Sequence, residues 1–327
     1  MHRITTSRRA LLVAGLAPII APRIARGQAA YPGGRPVSLV IPYAAGGIPD
    51  VFGNAITQGL QERLGGTFVM DHKPGASTTL GTRQVARARP DGTMLVFAGN
   101  ATFTITPFVL RSAGYDPAKD FTWLGLTGIA VYLFVAHPRW ESLEQLLAAA
   151  RNRPNEITYA TWGVGSSAHL GTFDLARRAG VEMTHVPYNG TAAALIDVSG
   201  GRVDFMLSTL APAKPHMEAG RVRALGIATA QRFRQLPDLP TIAEQGFADY
   251  LVPNWTGVAA PAGLPDSIAG PLDAALAATF SDERLLARLE PLGITASPIG
   301  ARAMREQVAR DLAANVELVR RAGITPE

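Results

Sequence analysis

From Val37 onward, short apolar runs rich in β-branched residues alternate with amphipathic stretches, and this rhythm constrains the fold more than any other feature. It calls for βα units around a largely parallel sheet. Strands are expected at 37–42, 67–71 and 94–98, with helices at 50–64 and 79–87. After Trp123 the rhythm restarts. Strands follow at 130–136, 157–160, 183–186, 203–207 and 222–228, with helices at 143–152, 167–179 and 191–200. The tail offers one strand at 253–260 and helices at 265–280, 282–290 and 301–321.

A chain of 327 residues with 47% apolar composition can bury two cores, so two doubly wound α/β lobes are expected. A helical tail needs an existing sheet to pack on. Lobe 1 is therefore expected at 31–123 and 229–327, with lobe 2 inserted at 124–228. Two crossings between lobes make a hinge of the kind that closes on a ligand.

The formal charge of +5 comes from the first 30 residues. Arg3, Arg8, Arg9, Arg23 and Arg26 account for five of the 31 basic residues, and the remaining 26 balance 26 acidic ones. No basic cluster lies beyond that segment, which argues against a nucleic-acid partner. The segment 1–30 itself has the form of an export signal: a basic start, an apolar run at 10–21, then small residues at 25–30. Ser7-Arg8-Arg9 resembles a twin-arginine signal, against the alternative of an ordinary secretory n-region. Either route leads to the periplasm with the leader removed. Cysteine is absent, so disulfides, thiol catalysis and thiolate metal sites are excluded.

In open parallel sheets ligands sit beyond the carboxyl ends of the strands, where helix N-termini present their amides. After the first strand comes Tyr43-Ala44-Ala45-Gly46-Gly47, small enough for close backbone approach, with Asp50 expected to cap the next helix. An ordinary glycine-rich βα turn reads the same way. Ser77 and Thr78, with Thr79, offer hydroxyls that suit an anion or plain helix capping. Asn100 and Thr102 are weaker candidates of this kind. In the second lobe, Gly165, Ser166 and Ser167 open a helix as a ready carboxylate or phosphate site. Trp162 is either a pocket wall or a core residue. His169 is either a donor to the ligand or a structural histidine. Asn189 and the amides of residues 190–192 repeat the design, and Asp197 is read as structural.

Several signatures are missing. There is no G-x-S-x-G elbow, H-E-x-x-H, G-x-x-x-x-G-K or complete G-x-G-x-x-G at the first βα turn. The six histidines show no metal-ligand spacing. No catalytic residue, metal site or cofactor is expected.

At these loops the chain resembles the tripartite tricarboxylate transporter substrate-binding family, also called the Bug family. The resemblance rests on Arg35-Pro36-Val37 with Pro42 to Gly47, Lys73-Pro74-Gly75-Ala76, Ala88 to Thr93 and Tyr115-Asp116-Pro117. It continues through Tyr159-Ala160-Thr161, Gly165 to Leu170, Val186-Pro187-Tyr188 and Gly200 to Asp204. It implies a type II periplasmic-binding-protein fold, monomeric, that closes on a small carboxylate and delivers it to an inner-membrane permease of the tripartite tricarboxylate type. In the family the first-lobe loop reaches the ligand through ordered waters and the second-lobe loops bind directly; this carries to Tyr43 through Gly47 and to Gly165 through Ser167. The chain departs from the pattern at Pro49, at Ser77-Thr78 in place of Gly-Gly, and at Asn189 in place of a basic residue. Two other readings compete: a periplasmic sensor that docks to a signalling partner, and an exported enzyme using Asp50 or His169.

Overall fold

The computed structural model describes residues 31–45, 48–188 and 190–325. The expected export signal at 1–30, together with Gly46, Gly47 and Asn189, lies outside the described residues. The elements run β1 (Val37–Ile41), α1 (Ile48–Leu64), β2 (Phe68–His72), α2 (Thr79–Ala86), β3 (Met94–Gly99), α3 (Asn100–Thr104), α4 (Thr106–Val109), β4 (Phe121–Ala130) and β5 (Tyr132–Ala136). Next come α5 (Leu143–Asn152), β6 (Thr158–Thr161), α6 (Ser167–Ala179), β7 (Thr184–Pro187), α7 (Thr191–Ser199), β8 (Phe205–Thr209), α8 (Leu210–Glu218) and β9 (Arg223–Ile227). The chain finishes with β10 (Trp255–Pro261), α9 (Asp266–Thr279), α10 (Glu283–Leu289), β11 (Ile294–Ala296) and α11 (Ala301–Arg321).

These strands form two sheets, one ordered β11-β4-β10-β3-β1-β2 and the other β7-β6-β8-β5-β9. Period-two alternation places both faces of each sheet in a core. In β1, Val37, Leu39 and Ile41 pack on Phe52, Ile56 and Leu60, spaced by four along α1. Val40 faces the other way, toward Val85 of α2 and Phe103 of α3. In β5, Phe134 and Ala136 meet Leu146 of α5 and Leu175 of α6, while Leu133 and Val135 meet Leu195 of α7 and Ala213 of α8. Each large side chain so buried contributes ~1.5–3 kcal/mol. A smaller cluster joins the two halves: Ile105, Val109 and Val319 from the first enclose Leu170 of α6.

Three features differ from the sequence expectation. The sheets are mixed and not largely parallel, because β10 runs antiparallel to β3 and β4, and β5 antiparallel to β8 and β9. Only Val131 separates β4 from β5, so the chain enters the second sheet as a continuing extended segment, with none of the crossover helix a parallel neighbour requires. The residue-124 boundary falls inside β4, which stays in the first sheet through Ala130; Ile242, Tyr250 and Val252 pack in the second core although they follow residue 228. Finally, α8 carries Pro212 and Pro215 and β4 carries Gly125 and Gly128, residues that mask a helix and a strand from pattern reading.

Candidate ligand-binding site

Three loops meet at the carboxyl ends of β1, β2 and β3, tied by hydroxyls. The Tyr43 phenol accepts the Gly99 N–H at 3.0 Å and lies 3.3 Å from Thr102 Oγ1. Thr102 Oγ1 is in turn 2.9 Å from Thr78 Oγ1. Burial pushes the Tyr43 phenol up, with the Thr102 and Gly99 hydrogen bonds acting the other way, so it stays protonated. The Tyr43 backbone carbonyl accepts a hydrogen bond from His72 Nδ1–H at 3.0 Å, and His72 Nε2 lies 3.5 Å from Asp50. Asp50 is the third residue of α1, so it faces His72 from the first turn and is not the cap. Ala44 and Ala45 are exposed beside this network.

The turn before α2 is strained. Ala76, Ser77 and Thr78 have φ of 46°, 51° and 75°, a left-handed run in which each residue costs ~1–2 kcal/mol relative to glycine. Thr78 makes no side-chain cap, contrary to the capping alternative, and Ser77 is exposed. Asn100 is 3% exposed and donates to the Pro253 carbonyl at 2.9 Å, which pins α3 to the chain's return from the second sheet.

Across from these loops, β6 leads into α6. The Ser166 hydroxyl caps the helix, accepting the His169 N–H at 3.2 Å, and also donates to the Gly163 carbonyl at 2.7 Å. The Ser167 and Ala168 amides follow in the first turn, where no intrahelical acceptor exists. Ser167 is 3% exposed, its hydroxyl beside the Tyr132 phenol. Gly165 has φ of 71°, and a Cβ there would come within 2.7 Å of Val109. Trp162 is half-buried and stacks on Tyr132, ring centroids 5.7 Å apart, so it is anchored to the second core. His169 accepts the Gly165 N–H on Nδ1 at 3.1 Å. Asp197 pairs with Arg202 and accepts from the Tyr188 phenol at 2.6 Å, a local tie within the second half.

The structure thus groups Tyr43, Thr78 and Thr102 on one side and Trp162, Gly165, Ser166, Ser167 and His169 on the other. His185 and Thr161 were missed by sequence reasoning. His185 Nε2 lies 2.7 Å from Thr161 Oγ1, and its ring stacks on His169 at 4.0 Å. Nothing local marks His185; the pairing arises because parallel β6 and β7 set Tyr159 opposite it.

A separate cavity of about 650 Å³ lies between α6, the segment 249–253 and α11. It shares Asn100 and Ser167 with the loop set, and its wall includes Asp311, 7% exposed, whose carboxyl burial pushes up. Among the described residues no three His, Asp or Glu side chains converge as a metal site, and no helix is long and apolar enough to cross a membrane.

Compared with known proteins, residues 53–323 match the model of a family described as the tripartite tricarboxylate transporter family receptor. A protein of Pseudomonas sp. strain P51, named for the tcbD-tcbE intergenic region, is 35% identical over 88% of this chain and 86% of its own. The solved structure of R. palustris Rpa4515 with adipate is 33% identical, with a TM-score of 0.81 over 91% of this chain and 100% of that one. MatC (Rpa3494) from Rhodopseudomonas palustris with bound malate is 29% identical, with a TM-score of 0.75 over 87% of this chain and 99% of that one.

Proposed function

The chain belongs to the tripartite tricarboxylate transporter receptor family of periplasmic solute-binding proteins, and from that premise we propose that it captures a small dicarboxylate between its two lobes. Its two-sheet architecture is the type II periplasmic-binding-protein fold. The observation that carries the reading is the start of α6, a helix of 13 residues, with a capping Ser166, a buried Ser167 and first-turn amides free of helical partners. Such an end stabilises an anion by ~0.3–2 kcal/mol through the helix dipole, before any hydrogen bond is counted. The ligands of the two R. palustris neighbours, adipate and malate, support the same class.

On this reading the exposed Ala44-Ala45 backbone approaches the ligand from the first lobe, behind it the hydroxyls of Tyr43, Thr78 and Thr102 hold the loops in register, and Gly165 through Ser167 approach from the second. Lobe 1 holds residues up to Ala130 and from about Pro253, lobe 2 the span between, and closure swings one onto the other. The ligand shifts that equilibrium only by its differential affinity for the closed state. A permease of the tripartite tricarboxylate type then takes the closed form, after export and leader removal. A non-catalytic role is supported by the receptor family to which the chain belongs, and at His169 by the Gly165 N–H that occupies its Nδ1.

The test is a thermal-shift and calorimetry screen against adipate, malate, tricarboxylates and aromatic acids. A ligand at 100 times its Kd adds about 2.7 kcal/mol of stability. A shift confined to dicarboxylates, with a smaller radius of gyration in solution scattering, supports capture by closure; binding with an unchanged scattering profile overturns the closure, and no shift with any acid overturns the class.

A further inference from the structure

The loop from β6 to α6 is bracketed by imidazoles. At its start, Thr161 Oγ1 accepts the Gly163 N–H at 3.2 Å and lies 2.7 Å from His185 Nε2. At its end, the Gly165 N–H points at His169 Nδ1, 3.1 Å away. A backbone N–H only donates, so Nδ1 of His169 carries no proton and the neutral ring holds its proton on Nε2. The two rings lie face to face, centroids 4.0 Å apart and 9° from parallel, with Tyr159 stacked 5.1 Å from His185. Both are on the second sheet's side of the loop, so ring and hydroxyl contacts fix its two ends at once.

We propose that His169 and His185 are positioning residues for the binding site: stacked as neutral rings they lock the loop carrying Gly165 to Ser167 in its binding conformation, and a proton on His169 releases it. The inference rests on the reading of that loop as part of the carboxylate site. Protonation turns Nδ1 from acceptor to donor, so two donors would face each other across the Gly165 contact, and it places a cation against a second imidazole. Among the described residues, the titratable groups facing His169 are Tyr159 of β6 and His185 of β7, and neither supplies a compensating negative charge at neutral pH. Burial, and then the neighbouring His185, push His169 down to about 4, and burial also lowers His185. The lock therefore holds through neutral pH, and binding is lost as pH falls through the folded-state value near 4.

The experiment has one arm that needs no ligand and one that uses adipate as probe. Amide exchange at Gly165 is measured by NMR in wild type, His169→Phe, which keeps a ring and loses the acceptor, and His169→Asn, which returns an acceptor without a titrating ring. Slow exchange in wild type and His169→Asn but not His169→Phe is expected. Adipate affinity should fall about tenfold in His169→Phe, the equivalent of one hydrogen bond, and recover in His169→Asn. In His185→Gln the His169 ring, followed by its imidazole shifts, should titrate at higher pH than in wild type. Equal Gly165 exchange in all three chains, or an unmoved His169 titration in His185→Gln, overturns the lock. Failure of wild type to bind adipate or any other acid of the screen while the exchange pattern holds overturns the carboxylate reading and leaves the lock standing; where another acid binds, that acid replaces adipate as the probe.

Discussion

The two sides of the site are built from different materials. On the first side, Tyr43, Thr78 and Thr102 direct their hydroxyls at one another, so the side chains hold three loops in register and leave the backbone to face outward. On the second, hydroxyls and rings fix a single loop while the amides at the start of a long helix stay available. On the proposed reading the first side is a scaffold reinforced against strain, and the second is the stronger anion site.

That contrast breaks most readily at Gly165. Gly165→Ala places a methyl 2.7 Å from Val109 and forces alanine to a φ of 71°, which alone costs ~1–2 kcal/mol. Adipate affinity, read by calorimetry, should fall by about two orders of magnitude, and adding Val109→Ala should return the part due to the clash. Thr102→Val acts on the other side. It strips partners from both Tyr43 and Thr78 and should lower the unfolding free energy by ~1–2 kcal/mol in denaturant titration, with affinity changed no more than about threefold. A larger loss of affinity would mean that these hydroxyls touch the ligand, and the distinction between scaffold and anion site would fail. Ala76→Gly has the smallest effect and the opposite sign: relief of φ 46° at an exposed position should raise stability by ~0.5 kcal/mol after the entropic cost of glycine.

Much of the fold was written in local pattern. The bounds of α5, α6 and α11 coincide with the periodic runs, because their starts are marked by Ser142, Ser166 and Gly300. What escaped depends on partners distant in sequence. β4 reads poorly because Gly125 and Gly128 interrupt it, yet those glycines let Ile299 and Phe52 approach its backbone. In the site, Ser166 and Thr78 were visible as hydroxyls beside helix starts, but only one caps. The ring pair of His169 and His185 was invisible: sixteen residues apart in sequence, they meet only after α6 has packed back over β6 and β7.

The passage between the sheets has little play. Val131 is the single residue between β4 and β5, and beside it the Ala130 N–H donates to the Asn254 carbonyl, so the outgoing and returning chains run shoulder to shoulder. Two segments so joined share one axis. On the proposed closure, movement of the halves would be a rotation taken up by a handful of torsions, with sliding suppressed, on the microsecond-to-millisecond scale expected of collective hinge motion.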